Sequence, residues 1–275
     1  MSDGVNAPGE TVGLPQCNAA YPLLISVSGE TKIGKTYFGA SFPNAFVIDF
    51  PPVKLGFRSI TFNPIALNRS VGEGWRSIAT PERRAGEVHW VSKVPGFDLN
   101  KQYCFAKTYV DFMAGIEKAR EFKASIPSGE GNVWIILDDT YRWRGLEVQR
   151  WVEDPKLNTK RAPFPAKEQF GHVTQNMQAV LTEIQQDFNV AMIHRIVPDY
   201  ETGEPKAQIY PNGADYISDA SLRLVKRKKG EEMIQVAEVL SNAYMFEFSP
   251  EFCHEIEKPS PVEVLIELMI PRELW

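Results

Sequence analysis

Residues 29–36 read Gly29-Glu30-Thr31-Lys32-Ile33-Gly34-Lys35-Thr36. This matches G-x-x-x-x-G-K-[ST], a pattern whose chemistry is the holding of phosphate groups. Gly29 and Gly34 permit backbone angles and approaches that a Cβ would block. The intervening amides then point inward and cradle phosphate oxygens at a helix start. The spacing puts Lys35 on the β- and γ-phosphates of ATP, with the Thr36 hydroxyl on Mg²⁺. Glu30, Thr31, Lys32, Ile33 and Tyr37 complete the expected nucleotide-binding stretch. A second stretch, Val133-Trp134-Ile135-Ile136-Leu137-Asp138-Asp139-Thr140, is an apolar run that ends in carboxylates. A buried strand of this form delivers Asp138 to order the metal and its waters.

These residues need elements to position them. Residues 21–28 are apolar and β-branched and predict a buried strand before the glycine loop. A short helix after it stops at Pro43. Residues 45–50 predict a second core strand, ended by Pro51-Pro52. Residues 53–100 keep no helical period and predict an ordered insertion with small β elements, among them a strand near 88–91. A helix is expected over 110–124 and another over 141–152. Phe170, Val173, Met177, Val180, Leu181, Ile184 and Phe188 step by three and four, which predicts an amphipathic helix packed on the sheet. Residues 189–194 then predict a core strand ending at His194, and 195–216 a polar loop. Two strands around Lys228-Lys229-Gly230-Glu231 predict a hairpin. Ser260-Pro261-Val262-Glu263 is a capping box with proline at the first helical position.

Alternating strands and helices imply a mostly parallel α/β sheet with helices on both faces and a C-terminal β-hairpin. Ligands in such sheets sit at the C-terminal strand ends. Residues 29–36, Asp49, Asp138-Asp139 and His194 all follow strands, so they are expected to converge. The domain reading is an N-terminal arm over 1–20, a nucleotide-binding domain over 21–250 carrying the 53–100 insertion, and a helical tail over 251–275. The placing of the strands suits a core in which an extra strand, the one ending at His194, separates the glycine-loop strand from the Asp138 strand.

Composition narrows the class further. The chain has 275 residues, 43% hydrophobic and 24% charged, with a net charge of −5. No apolar run approaches the ~20 residues of a membrane span, so no membrane partner is expected. The start of the chain lacks the form of a signal peptide. Cys17, Cys104 and Cys253 are scattered and odd in number, which points to free thiols in a cytoplasmic, reducing compartment. Cys253-His254 has no second pair at metal-ligand spacing. The acidic balance gives no global attraction to nucleic acid, so any such contact needs a local patch.

The run from Gly29 to Asp49, in which the loop helix ends at Ser41-Phe42-Pro43 and a strand ending in Asp49 comes next, resembles the opening of the phage-type RecA-like P-loop ATPases of the single-strand-annealing and recombination group. The order of later elements is similar as far as the hairpin opened by Asp219. The resemblance implies a RecA-like P-loop NTPase core and Mg²⁺-dependent ATP hydrolysis. It also implies a homo-oligomer with ATP near subunit interfaces, action on single-stranded DNA, and the cytoplasm of a host cell. It matches His194 to a γ-phosphate-sensing position. RecA relatives place a catalytic Glu just past the second strand, but here Asp49 is followed by Phe50-Pro51-Pro52. Asp139, one residue past Asp138, is the expected base, with Asp49 the alternative. The shorter side chain predicts slow turnover. Lys35, Asp139 and His194 are thus the expected catalytic set.

The same resemblance points the loop after the Asp138 helix toward DNA, with Lys156, Lys160, Arg161 and Lys167 beside Phe164. Arg227 and Lys228 belong to the densest basic run, whose other reading is a solvated hairpin turn. Arg195 reads as a salt-bridging residue, with a finger on a neighbour's ATP as the alternative. Competing functions are a P-loop ATPase of other purpose (helicase-like, packaging or regulatory switch) and a P-loop kinase.

Overall fold

The computed structural model describes residues 22–51, 73–84, 87–162, 164–166, 169–199, 202–243 and 255–275. The expected N-terminal arm, Cys17, Lys167, the Cys253-His254 pair and the first part of the insertion lie outside the described residues.

The first strand, β1 (Leu24–Gly29), is buried along its length and leads through the glycine loop into α1 (Lys35–Ala40). Next come β2 (Ala45–Asp49) and, in the insertion, α2 (Glu73–Ile78) with the hairpin β3 (Ala79–Arg84) and β4 (Glu87–Ser92). The chain returns through β5 (Tyr103–Phe105), α3 (Tyr109–Ser125), β6 (Trp134–Asp138) and α4 (Thr140–Glu153). After these come α5 (Phe170–Asp187), β7 (Asn189–Pro198), β8 (Pro205–Gln208) and the short α6 (Ala214–Ile217). The hairpin β9 (Ala220–Lys229) and β10 (Glu232–Asn242), then β11 (Glu255–Glu257) and α7 (Pro261–Glu267), complete the order.

The main sheet runs β11-β10-β9-β1-β7-β6-β2-β5, with β8 added to β7. From β9 to β5 every pairing is parallel, and β10, β11 and β8 join antiparallel. Parallel strands covered on both faces need apolar side chains on both, which is why β1, β2 and β6 read as unbroken apolar runs. Ile25, Val27 and Val47 enter the core beneath α1, α2 and α7, while Leu24, Phe46 and Ile48 enter the one beneath α3, α4 and α5. Helices therefore cover both faces, and the hairpin lies at the edge, turning at Gly230 with φ 64°. This is the α/β, RecA-like P-loop arrangement: β7 lies between the glycine-loop strand β1 and the Asp138 strand β6.

One reading changes. The core strand does not stop at His194 but runs on to Pro198 and pairs with β8, so part of the expected loop is a hairpin. Pro198 and Pro205 sit opposite each other at its far end, beyond the central ladder, where a missing N–H costs little. The segment after 251 packs with the rest, because Ile256, Val264, Leu265, Leu268 and Ile270 join the same core as β1. The Ser260–Glu263 capping box forms as read, with Pro261 in the first turn. Finally, the last residues close the N-terminal ends of the strands. The Asn132 amide donates to the Trp275 carbonyl at 2.6 Å, and Asn189 Nδ2 donates to the Leu274 carbonyl at 2.7 Å.

Candidate functional site

The glycine loop is braced from two strands. A Cβ on Gly29 would lie 2.9 Å from the Leu224 carbonyl oxygen of β9, so this position has no room for a side chain. Gly34 holds φ 98° at the start of α1, a left-handed angle that favours glycine. Gln235 of β10 donates its Nε2 to the Ile33 carbonyl at 2.6 Å. No pattern in the sequence marks Gln235, because its role comes from hairpin register.

Lys35 Nζ donates to the carbonyls of Gly29 and Glu30 at 2.7 and 2.6 Å, which holds the ammonium within the loop. Burial lowers its pKa, opposed by the carboxylates of Asp138 and Asp139. Glu30, Thr31, Lys32 and Tyr37 are exposed or partly so, while Thr36 is half-buried and Ile33 is buried. The Thr36 hydroxyl donates to Asp138 Oδ2. Burial and the neighbouring Asp139 raise the Asp138 pKa. Two hard oxygens thus meet at the mouth of the loop, a donor pair that fits Mg²⁺, which takes its other ligands from phosphate and water.

Asp138 has a carboxylate on each side. Asp49 ends the adjacent strand β2 in register with it. Asp49 is fully buried, and its Oδ2 accepts from the Tyr103 hydroxyl at 2.6 Å and the Gly74 amide at 2.8 Å. Burial, and then Asp138, push its pKa up to about 8. Asp139 differs. It caps α4 by accepting from the Arg142 amide at 2.9 Å, and its Oδ2 receives Arg195 Nε at 3.1 Å with Arg142 Nε at 3.5 Å. The expected base is therefore occupied as a helix cap and as the anion between two guanidiniums.

His194 also departs from expectation. It is fully buried inside β7, with Nε2 2.7 Å from Ser26 Oγ and Nδ1 2.7 Å from Thr140 Oγ1. Burial, then Lys35, lower its pKa to about 3, so it is neutral. Both nitrogens are occupied by hydroxyls that tie β1, β7 and α4 together. Because β7 continues, it is Arg195, not His194, that reaches the carboxylate cluster. Arg195 also lies over the Tyr141 ring at 4.8 Å.

The two basic patches differ as well. Lys156, Lys160 and Arg161 are exposed in a compact loop organised by buried Asn158. Its side chain donates to Val152 and Ala162 carbonyls at 3.1 and 2.8 Å and accepts from the Ala162 amide at 2.8 Å. Phe164 comes next, 41% exposed. In the hairpin, Arg227 pairs with Glu238 and with Glu255, the latter at 3.2 Å, and Lys229 pairs with Glu257. Strand β11 thus neutralises much of the run, and Arg227 is spoken for. Lys228 makes no ion pair among the described residues.

The fold and site together define a RecA-like P-loop core with its phosphate loop and acidic strand end in contact. No protein-family model and no curated protein matches the chain. Among solved structures, a KaiC-like protein from the hyperthermophilic archaeon Pyrococcus horikoshii OT3 is similar at 12% identity, covering 86% of this chain and 84% of that one with a TM-score of 0.41. The strand order and the contacts around Asp138, not this likeness, define the core. No helix among the described residues is long and apolar enough to cross a membrane.

Proposed function

We propose that the protein binds ATP in the 29–36 loop and hydrolyses it slowly in a Mg²⁺-dependent reaction, with Asp49 as proton acceptor. The carrying observation is the Thr36–Asp138 contact across the mouth of the loop. Thr36 and Asp138 would hold Mg²⁺, which supplies charge neutralisation to the transferring phosphoryl group. Lys35 stabilises the same charge from the loop. The oxygen of an attacking water bonds to the γ-phosphorus, the bond to the β–γ bridging oxygen breaks with its electrons leaving on ADP, and the water's proton passes to Asp49. Asp49 is proposed in place of Asp139 because neutral donors hold its Oδ2 and Arg142 stands off its Oδ1 at 3.9 Å, whereas Asp139 caps α4 and holds Arg195 at 3.1 Å. His194 acts beneath the loop as a neutral brace.

Single-stranded DNA is the proposed partner, in recombination or annealing. Lys156, Lys160 and Arg161 beside exposed Phe164 support this reading, as cations flanking a stackable ring suit a single strand. The homo-oligomer with ATP near subunit interfaces is proposed from the family resemblance. ATP hydrolysis measured with and without single-stranded DNA, alongside particle sizing, tests the whole reading. Turnover stimulated by DNA and lost in Lys35→Ala is expected. ATP bound without turnover would make the protein a nucleotide-held switch instead.

A further inference from the structure

The β9–β10 hairpin overhangs the phosphate loop. Strand β1 ends at Gly29, in register with Leu224 of β9, which in turn pairs with Ala237 of β10. The hairpin runs on past this level, and the next residue of β10 on the same face is Gln235. Leu224 and Ala237 both enter the core beneath α1, so half-buried Gln235 stands on the α1 side of the sheet, one step beyond the end of β1. From there its Nε2 donates to the Ile33 carbonyl at 2.6 Å, across 202 positions of chain. The approach is close, for a Cβ on Gly34 would lie 3.2 Å from the same nitrogen. Gln235 is also held from behind, since its own carbonyl accepts from the Lys258 amide at 2.7 Å.

The Ile33 carbonyl and the Gly34 amide belong to one peptide unit, and in a trans unit the two point in opposite directions. A carbonyl held toward the hairpin by Gln235 therefore turns the Gly34 N–H away from the hairpin and into the loop. That N–H makes no backbone hydrogen bond among the described residues. The sequence of the loop does not choose this orientation by itself. Lys32 and Gly34 flank Ile33 with φ of 65° and 98°, both left-handed, and glycine adopts either hand readily. Such a backbone persists only where its surroundings hold it. We infer that Gln235 is a positioning residue that selects the peptide orientation in which the Gly34 N–H donates to a phosphate oxygen of the nucleotide. The inference rests on residues 29–36 being the ATP site. It makes phosphate affinity depend on the hairpin, which β11 pins through Arg227–Glu255 and Lys229–Glu257.

Full-length wild type, Gln235→Met, Gln235→Leu and Met233→Ala are compared by calorimetry with ATP and with pyrophosphate, and by melting temperature without ligand. Methionine and leucine fill the space of the side chain but carry no donor. Met233 lies two residues along the same face and is 61% exposed, so its variant controls for a disturbed hairpin. Both Gln235 variants should lose ~10- to 100-fold in affinity for ATP and for pyrophosphate alike, the scale of one hydrogen bond to a charged group, at an unchanged melting temperature. Met233→Ala should bind both ligands as wild type does. By NMR on protein labelled at glycine nitrogen, the Gly34 amide proton of wild type should move downfield as pyrophosphate binds. The positioning role is overturned by unchanged affinity in whichever Gln235 variant folds, by a loss confined to ATP, or by an affinity that falls together with the melting temperature. An equal loss in Met233→Ala, or a Gly34 amide in wild type that does not respond to pyrophosphate, overturns it as well. Each of these outcomes leaves the ATP site standing. A wild type that binds neither ATP nor pyrophosphate removes the ATP site and the positioning role together.

Discussion

Asp138 stands between two carboxylates that the fold treats in opposite ways. On the insertion side, Asp49 is fully buried, receives neutral donors on one oxygen and has its pKa pushed up to about 8. On the helix side, Asp139 caps α4 and shares its charge with Arg195 and Arg142. Desolvation favours the protonated form of the first, while the second lies between two guanidiniums. The same residue type at neighbouring strand ends is therefore a desolvated carboxyl with neutral donors on one side and a helix cap between guanidiniums on the other. The cationic side continues along α4, which spans roughly 20 Å, to the loop of Lys156, Lys160 and Arg161. The insertion side carries aromatic rings instead.

The sharpest way to break this contrast is a pair of isosteric variants. Asp49→Asn should lower ATP turnover ~100-fold or more, as expected for loss of a general base, and leave ATP affinity nearly intact. Asp139→Asn should retain most turnover, because asparagine still caps a helix. Steady-state rates with ATP calorimetry check both, and the reverse pattern would restore Asp139 as the base.

The next effect in size is on stability. Asp139→Ala removes the cap and strands two guanidiniums, so unfolding in urea should show a loss of ~2–4 kcal/mol. A loss below ~0.5 kcal/mol, the range of an ordinary surface change, would mean that Asp139 is not a structural anion.

A double-mutant cycle refines that figure. Asp139→Ala and Arg195→Ala should couple by ~1–2 kcal/mol, as charged partners in contact do. Additive losses would place the value of Asp139 in its helix cap alone.

The smallest effect concerns DNA. Lys160→Ala should weaken single-strand binding modestly and reduce the salt dependence by about one unit of slope, read by fluorescence anisotropy across a salt series. Arg227→Ala, whose side chain is held by Glu238 and Glu255, should change it less. The opposite order would move the DNA contact from the loop to the hairpin.

Much of this was legible from residue patterns because the information is local. The 29–36 loop, the apolar strands and the stripe of α5 come from motif spacing and periodicity, and the Ser260–Glu263 box forms as read. The order of β1, β7 and β6 was also inferable, since it reflects connection chemistry. The partners of Asp49 were not. Tyr103 lies 54 residues away from it and Gly74 lies 25 away, with neither in a motif. The capture of Asp139 by Arg195 depends on β7 continuing past His194, which proline-rich flanks concealed. The neutralising of Arg227 depends on β11 folding back beside β10.

The sequence by itself determined that this chain carries a phosphate loop on a buried strand, a second strand ending in carboxylates, and the residue types that suit ATP and Mg²⁺. Spacing along the chain suffices for these, because backbone geometry dictates them within a few residues. Which of three nearby aspartates is buried, capped or paired was decided only by the tertiary structure. A carboxylate's charge state depends on what approaches it through space, and here those neighbours come from an insertion, a helix start and a strand that the chain reaches only after long excursions.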